Sequence, residues 1–410
     1  MLLRPDSPQR SLLPFYGVAL VSEIVWVAIV PLAPAYADRF DLSKVETGAV
    51  LAAAGFATLV VSLPVGVLAD RVGTRLITVA SAALVALSSL AQAVSFDFWS
   101  LLVSRAAFGV ALGAIWTAGL AWLADASANR ERPSALGVPV TIAGIGFMTG
   151  PAFAGLTASA LGLRAPFIVL AGAAALAALA FSRTTGHETS FRQEHVTAAF
   201  SAVRRDRIVL ASCVVMAFIG LINGGVNLLA PLELGRNGFS SGETGLVLSG
   251  SSAVFVAVSI VITRLGTRAV TVRAVGLAAL LYGGTALLVT AGTSSVLIIA
   301  FLLGRAPFWS AISTLAYPLG VRGANRADVG RGAIMGLLNL VWGLASTVGP
   351  VVAGALAEAA GERTAFACLV GLAALVGIGL LTAGEPAADV SPARASGAPG
   401  GLESRPEVLP

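Results

Sequence analysis

The chain has 410 residues, 57% hydrophobic and only 11% charged, with 46 glycines and a formal net charge of +5. Soluble domains carry about 25% charged residues, and a mean hydropathy of +0.88 excludes a water-soluble globule, a disordered chain and a collagen-like one. The class is an all-α integral membrane protein. Its basic pI of about 9.9 would signal nucleic acid only if the cations formed a soluble patch, and their distribution below removes that reading.

A membrane-spanning helix takes about 20 apolar residues, because the hydrocarbon core is about 30 Å thick and a helix rises about 1.5 Å per residue. In chain order, twelve stretches qualify: roughly 12–35, 46–69, 76–96, 98–124, 136–161, 164–182, 207–233, 243–263, 272–292, 295–320, 332–358 and 363–383. They are two to three times longer than the strands of a membrane barrel and apolar all round. Helices are therefore the reading that satisfies the backbone in lipid. Arg4, Arg10 and then Ala35-Tyr36-Ala37 imitate a cleavable signal, but Glu23 interrupts the apolar run and the segment has a later counterpart. It is read as the first span.

The organisation expected is a six-helix half over 1–182, a cytoplasmic linker over 183–206, a second half over 207–383 and a disordered tail over 384–410. Orientation follows from 26 basic residues, of which Lys44 is the only lysine. With the N-terminus inside, 19 fall in cytoplasmic segments. Five fall outside (Arg39, Lys44, Arg164, Arg236, Arg363), and Arg105 and Arg305 lie within spans. The asymmetry places both termini in the cytoplasm of a cell membrane.

An internal repeat divides the chain. Glu46-Thr47-Gly48 returns as Glu243-Thr244-Gly245, Arg71-Val72-Gly73-Thr74-Arg75 as Arg264-Leu265-Gly266-Thr267-Arg268, Arg105 as Arg305, and Gly150-Pro151 with Gly155 as Gly349-Pro350 with Gly354. Ordered matches near one offset mean two parallel six-helix halves, a transporter architecture with its substrate site between the halves.

Here the residues resemble the major facilitator superfamily over essentially the whole chain except the tail. Gly66 to Arg75, with Asp70, Arg71 and Gly73, resembles the family's cytoplasmic loop signature. Arg105 with Gly109 and Gly113 resembles its second motif. Gly146 to Gly155, including Gly150 and Pro151, resembles the motif of its proton-driven exporters, with Ala154 standing where the last glycine pair would begin. The resemblance implies transport by alternating access, and no enzyme is expected because no nucleophile and base, metal cluster or paired carboxylates lie at one depth. The Asp70 loop and its echo at Arg264, Gly266 and Arg268 read as a conformational latch, against the alternative of a plain positive-inside turn. The glycines and prolines, with Gly109, Gly349, Pro350 and Gly354, read as helix packing and gating.

Charges in hydrocarbon cost roughly 2.5–3.5 kcal/mol each on the insertion scale. Glu23 lies about 16 Å along its span and Arg105 at nearly the same depth. Their pairing is expected, with Glu23 as proton carrier or, alternatively, as half of a static ion pair. Arg305 has no acid at its depth, so it bonds backbone carbonyls or binds an anionic substrate group. Trp26 shares a helix face with Glu23, Asn223 shares another with Asn227, and Asn339 a third with Trp342; together they sketch a substrate cavity suited to a lipophilic or amphiphilic solute.

No phosphate-binding loop is present, so ATP does not drive the chain directly. His187 and His195 read as solvated surface rather than metal ligands, and Cys213 and Cys368 as small apolar lining. No cofactor, metal or nucleic acid is expected. The partners expected are a small molecule, protons and lipid, with the chain acting as a monomer. The function expected is proton-coupled efflux; a metabolite importer, symporter or uniporter and a non-transporting receptor or scaffold are the alternatives.

Overall fold

The computed structural model describes residues 12–126, 132–184, 202–203, 205–265 and 270–383. The expected linker and tail fall mostly outside these residues, as do Gly266 and Arg268 of the latch echo.

Among the described residues, twelve helices are long and apolar enough to cross a membrane. They are α1 (Leu13–Phe40), α2 (Lys44–Val72), α3 (Thr74–Ala93), α4 (Phe98–Ala126), α5 (Arg132–Leu161), α6 (Ala165–Ser182), α7 (Arg207–Arg236), α8 (Ser241–Leu265), α9 (Val272–Ala291), α10 (Ser295–Ala327), α11 (Arg331–Ala360) and α12 (Glu362–Ala383). With an even number of spans, Leu12 and Ala383 lie at one end of the bundle, here the terminal end; the opposite end is the far end. Large apolar side chains such as Leu87, Trp99, Leu176 and Leu375 stand exposed on the outside, which in a chain of this composition is a lipid-facing surface.

Each half repeats one packing scheme. α1 packs on α5, α2 on α4 and α3 on α6; correspondingly α7 packs on α11, α8 on α10 and α9 on α12. Without a hydrophobic drive between helices in lipid, contact depends on small residues and interhelical hydrogen bonds. A Cβ built on Gly109 would lie 2.1 Å from the Ala54 carbonyl oxygen, so α4 meets α2 backbone to backbone there. The Thr58 hydroxyl then donates to the Gly109 carbonyl at 2.8 Å. In the second half the Ser251 hydroxyl donates to the Leu302 carbonyl and the Ser310 hydroxyl to the Phe255 carbonyl.

The repeated Glu-Thr-Gly motif has a local cause. Ser43 caps α2 by accepting from the Glu46 N–H, while Glu46 Oε2 accepts from the Ser43 N–H. Ser240 and Glu243 make the same reciprocal pair at the start of α8.

Two helices depart from regularity. α1 runs as an α-helix to Ala28, passes through a 3₁₀ turn at Val30–Leu32 that contains Pro31, and resumes at Ala33. Pro31 has no N–H and cannot continue the ladder. The equivalent α7 carries Pro231 yet remains one α-helix. α4 contains a π turn at Ile115–Gly119, a distortion common at functional sites.

Candidate transport cavity

The halves meet in two matching seams at the far end. In one, α2 packs on α11: a Cβ on Gly48 would lie 2.6 Å from the Pro350 carbonyl oxygen, and one on Gly354 2.6 Å from that of Lys44. In the other, α8 packs on α5: a Cβ on Gly245 would lie 2.3 Å from the Pro151 carbonyl oxygen, and one on Gly155 2.1 Å from that of Ser241. No side chain fits at any of the four positions without the helices parting. The Ala152 N–H donates to the Ser249 hydroxyl and the Gly242 N–H to the Ser159 hydroxyl across the second seam. Across the first, the Val45 N–H donates to Glu358, and Lys44 donates to the Ala357 carbonyl and to Glu362. Glu362 also pairs with Arg236. These hydrogen bonds join the halves at the far end, which is closed.

The remaining motif glycines work inside the halves. Gly146 and Gly150 bring α5 onto α1, where added Cβ atoms would meet Glu23 Cβ at 2.7 Å and Val27 Cγ2 at 2.4 Å. Gly349 seats α11 on the Leu221 carbonyl of α7.

At the terminal end, Asp70 and Arg71 are exposed and make no hydrogen bond or ion pair among the described residues. Gly73 turns the chain from α2 to α3 at φ +96°, a conformation that glycine adopts freely. Arg75 donates to the Ser182 carbonyl and so ties α3 to α6 within one half. Gly66 lies within α2, and Arg264 is exposed near the end of α8.

The expected Glu23–Arg105 pair does not form. Arg105, 1% exposed, donates from Nη1 to the Val25 carbonyl and from Nη2 to the Trp26 carbonyl, each at 3.3 Å. These carbonyls belong to the turn where α1 breaks and its i+4 donors are displaced. The guanidinium caps that break and stacks over Phe108 at 5.4 Å. The depth estimate holds, since Val25 and Trp26 adjoin Glu23, but two residues along a helix rotate a side chain by about 200°. Glu23 points elsewhere: Oε1 accepts from the Trp116 indole N–H at 2.8 Å. Trp116 sits in the π turn of α4, and the sequence reading missed it.

Arg305, expected either to bond carbonyls or to face the cavity, lines it. A recess below the second seam is bounded by Val27, Val30, Phe147 and Pro151 of one half and by Asn227, Leu248, Ser251, Ser252, Arg305 and Trp309 of the other. Asn223, one turn from Asn227, is half-buried, and its Oδ1 is shielded from solvent and unpartnered. Asn339 accepts from the Tyr317 hydroxyl, joining α11 to α10. The Trp342 carbonyl abuts Gly220 of α7, and the Trp26 ring lies against Gly55 of α2. Arg305 and Asn227 are thus brought together in one recess, whose lining does not include Trp26, Asn339 or Trp342. The cross-half set of Lys44, Glu358 and Glu362 with Arg236 had no signal in the sequence beyond loop charge.

Two parallel six-helix halves, closed at one end over a recess between them, define a multi-pass membrane fold. Residues 15–331 match the family model of the Major Facilitator Superfamily, and the chain belongs to that family. It is similar to a probable vesicular acetylcholine transporter-B of Danio rerio, 29% identical over 180 residues, 42% of this chain and 36% of that one. It is equally similar to the quinolone resistance protein NorA of Staphylococcus aureus strain MRSA252, 29% identical over 167 residues, 41% of this chain and 40% of that one. The match thus spans well under half the length of either relative. Among solved structures, a bacterial homologue of the human lysosomal transporter Spinster, inward-facing and unoccupied, superposes with a TM-score of 0.75 at 15% identity, covering 93% of this chain and 98% of that one. The nucleoside transporter NupG gives 0.72 at 12% identity, covering 91% and 98%. At these identities the likeness is one of fold.

Proposed function

We propose that the protein is a proton-coupled exporter of small amphiphilic compounds. It works by alternating access as a monomer in a cell membrane, with both termini in the cytoplasm. The observation that carries this reading is Glu23, a carboxyl buried within a span whose partner is a neutral indole. An ionised carboxylate at that depth costs roughly 2.5–3.5 kcal/mol, and the one hydrogen bond from Trp116 returns about 1.5–3 kcal/mol with no counter-charge to complete the offset. Taking up a proton removes the charge, and a cavity that opens alternately to the two sides lets that proton come from one and leave to the other.

With this topology the closed far end is the extracellular gate, and the conformation is inward-facing. The free Asp70 and Arg71 then form the latch that engages when the cytoplasmic end closes and the two seams part. The resistance protein among the relatives supports the outward direction. The test is transport by proteoliposomes under an imposed pH gradient with a panel of amphiphilic compounds. Glu23→Gln is expected to abolish gradient-driven accumulation while leaving passive exchange. Undiminished proton dependence in that variant would overturn the role of Glu23, and accumulation with the proton rather than against it would make the protein a symporter.

A further inference from the structure

Proton coupling through Glu23 leaves Arg305 without a task. Arg305 is 2% exposed within α10, yet its Nε and Nη1 have no hydrogen-bond partner. Its guanidinium stacks 4.7 Å from the centroid of the Trp309 ring and 5.7 Å from that of Phe301. Stacking occupies the faces of the guanidinium, and with the Tyr282 hydroxyl beside it, Nε and Nη1 remain as unpartnered donors. Trp309 Nε1, in the same recess, is also buried and unpartnered. No acid lines the recess. Those described in the second half lie at helix ends, where Glu233 and Glu362 bind Arg236, Asp206 binds Arg326, Glu243 caps α8 and Glu358 binds the Val45 N–H. What else lines the recess is mainly apolar, with Phe147, Val27 and Val30 contributed by the opposite half.

We propose that this recess is an anion subsite and that the transported compound is an amphiphilic organic acid. Arg305 takes the carboxylate on its free edge, Trp309 adds an N–H donor, and the apolar body lies against Phe147, Val27 and Val30. A guanidinium fork matches a carboxylate in two parallel hydrogen bonds, and burial away from water strengthens them. A cationic compound meets an unneutralised like charge and is excluded. Glu23 and Val27 lie four residues apart on one face of α1, so the proton site and the anion subsite are neighbours along the cavity but use different groups. The inference rests on the exporter reading and adds the substrate class to it.

Equilibrium binding to the purified full chain in detergent tests the subsite without requiring transport. The probes are radiolabelled 1-naphthylacetate, its methyl ester and 1-naphthylmethylammonium. The expected result is that wild type holds the acid about tenfold or more tightly than the ester, with the ammonium ion weakest. Arg305→Gln brings acid and ester to within about twofold of each other through a loss that falls mainly on the acid, and an unchanged size-exclusion profile reports that the variant is folded. Arg305→Lys restores part of the preference, because it keeps the charge and loses the fork. Trp309→Phe keeps the ring, loses the donor and weakens acid binding a few-fold. Equal wild-type affinity for acid and ester, binding of none of the three, or an equal loss of acid and ester in Arg305→Gln would each overturn the subsite. A preserved acid preference without gradient-driven transport in proteoliposomes would instead sink the exporter reading and leave the subsite standing.

Discussion

Arg105 in α4 and Arg305 in α10 hold corresponding positions in the two halves, both buried and both stacked on aromatic rings. Arg105 hydrogen-bonds two backbone carbonyls across to α1, whereas Arg305 keeps two nitrogens free. The cause lies in the neighbouring helix. α1 gives way to a 3₁₀ turn at Val30–Leu32, and Arg105 caps two carbonyls just before it, while α7 remains one α-helix past Pro231. The same side chain in the same place bonds backbone in one half and keeps two nitrogens without a partner in the other.

The most forceful way to break this comparison is to remove each guanidinium in turn. Arg105→Gln strands the Val25 and Trp26 carbonyls, and each buried polar group left unpaired costs about 1–3 kcal/mol. Its melting temperature, followed by size-exclusion chromatography after heating, is expected to fall by several degrees. Arg305→Gln deletes an unpaired charge and is expected to melt at or above the wild-type temperature. Equal falls in the two variants would mean that both arginines are structural.

A smaller effect compares the seams themselves. Gly155→Ala and Gly354→Ala each drive a methyl into an opposing carbonyl, at 2.1 Å and 2.6 Å, and overpacking of this kind costs about 1–3 kcal/mol. Spin-label distances across the far end should lengthen in both, more for Gly155→Ala, and stay unchanged in Gly172→Ala, where an added Cβ meets nothing within 4 Å. The smallest effect belongs to Lys44→Gln, which removes the cross-half pair with Glu362. Partly exposed pairs contribute about 0–1 kcal/mol, so the far-end distances should lengthen slightly at low ionic strength and not at high salt.

The twelve spans were legible because lipid tolerates no other backbone arrangement, and the repeat was legible because both copies keep the same short motifs. Their purpose was not: the glutamate of each Glu-Thr-Gly closes a helix cap and the glycine meets the other half, which no one-dimensional match reveals. The depth of Arg105 could be counted along the chain, but its direction depended on rotation about the helix and on a break at Pro31 that apolar patterning does not register. Trp116 escaped notice because a π turn re-aims it. The Lys44–Glu362 contact joins residues 318 apart in sequence, beyond the reach of any local pattern.

The two seams are one contact made twice. Gly48 and Gly245 lean on Pro350 and Pro151, while Gly354 and Gly155 lean on the first residues of α2 and α8. Each half therefore carries both the knob and the socket of its own partner surface, the defining property of an isologous interface between identical subunits. A single six-helix half already contains every surface needed to close this gate against a second copy of itself, so the fused chain retains the geometry of a symmetric dimer.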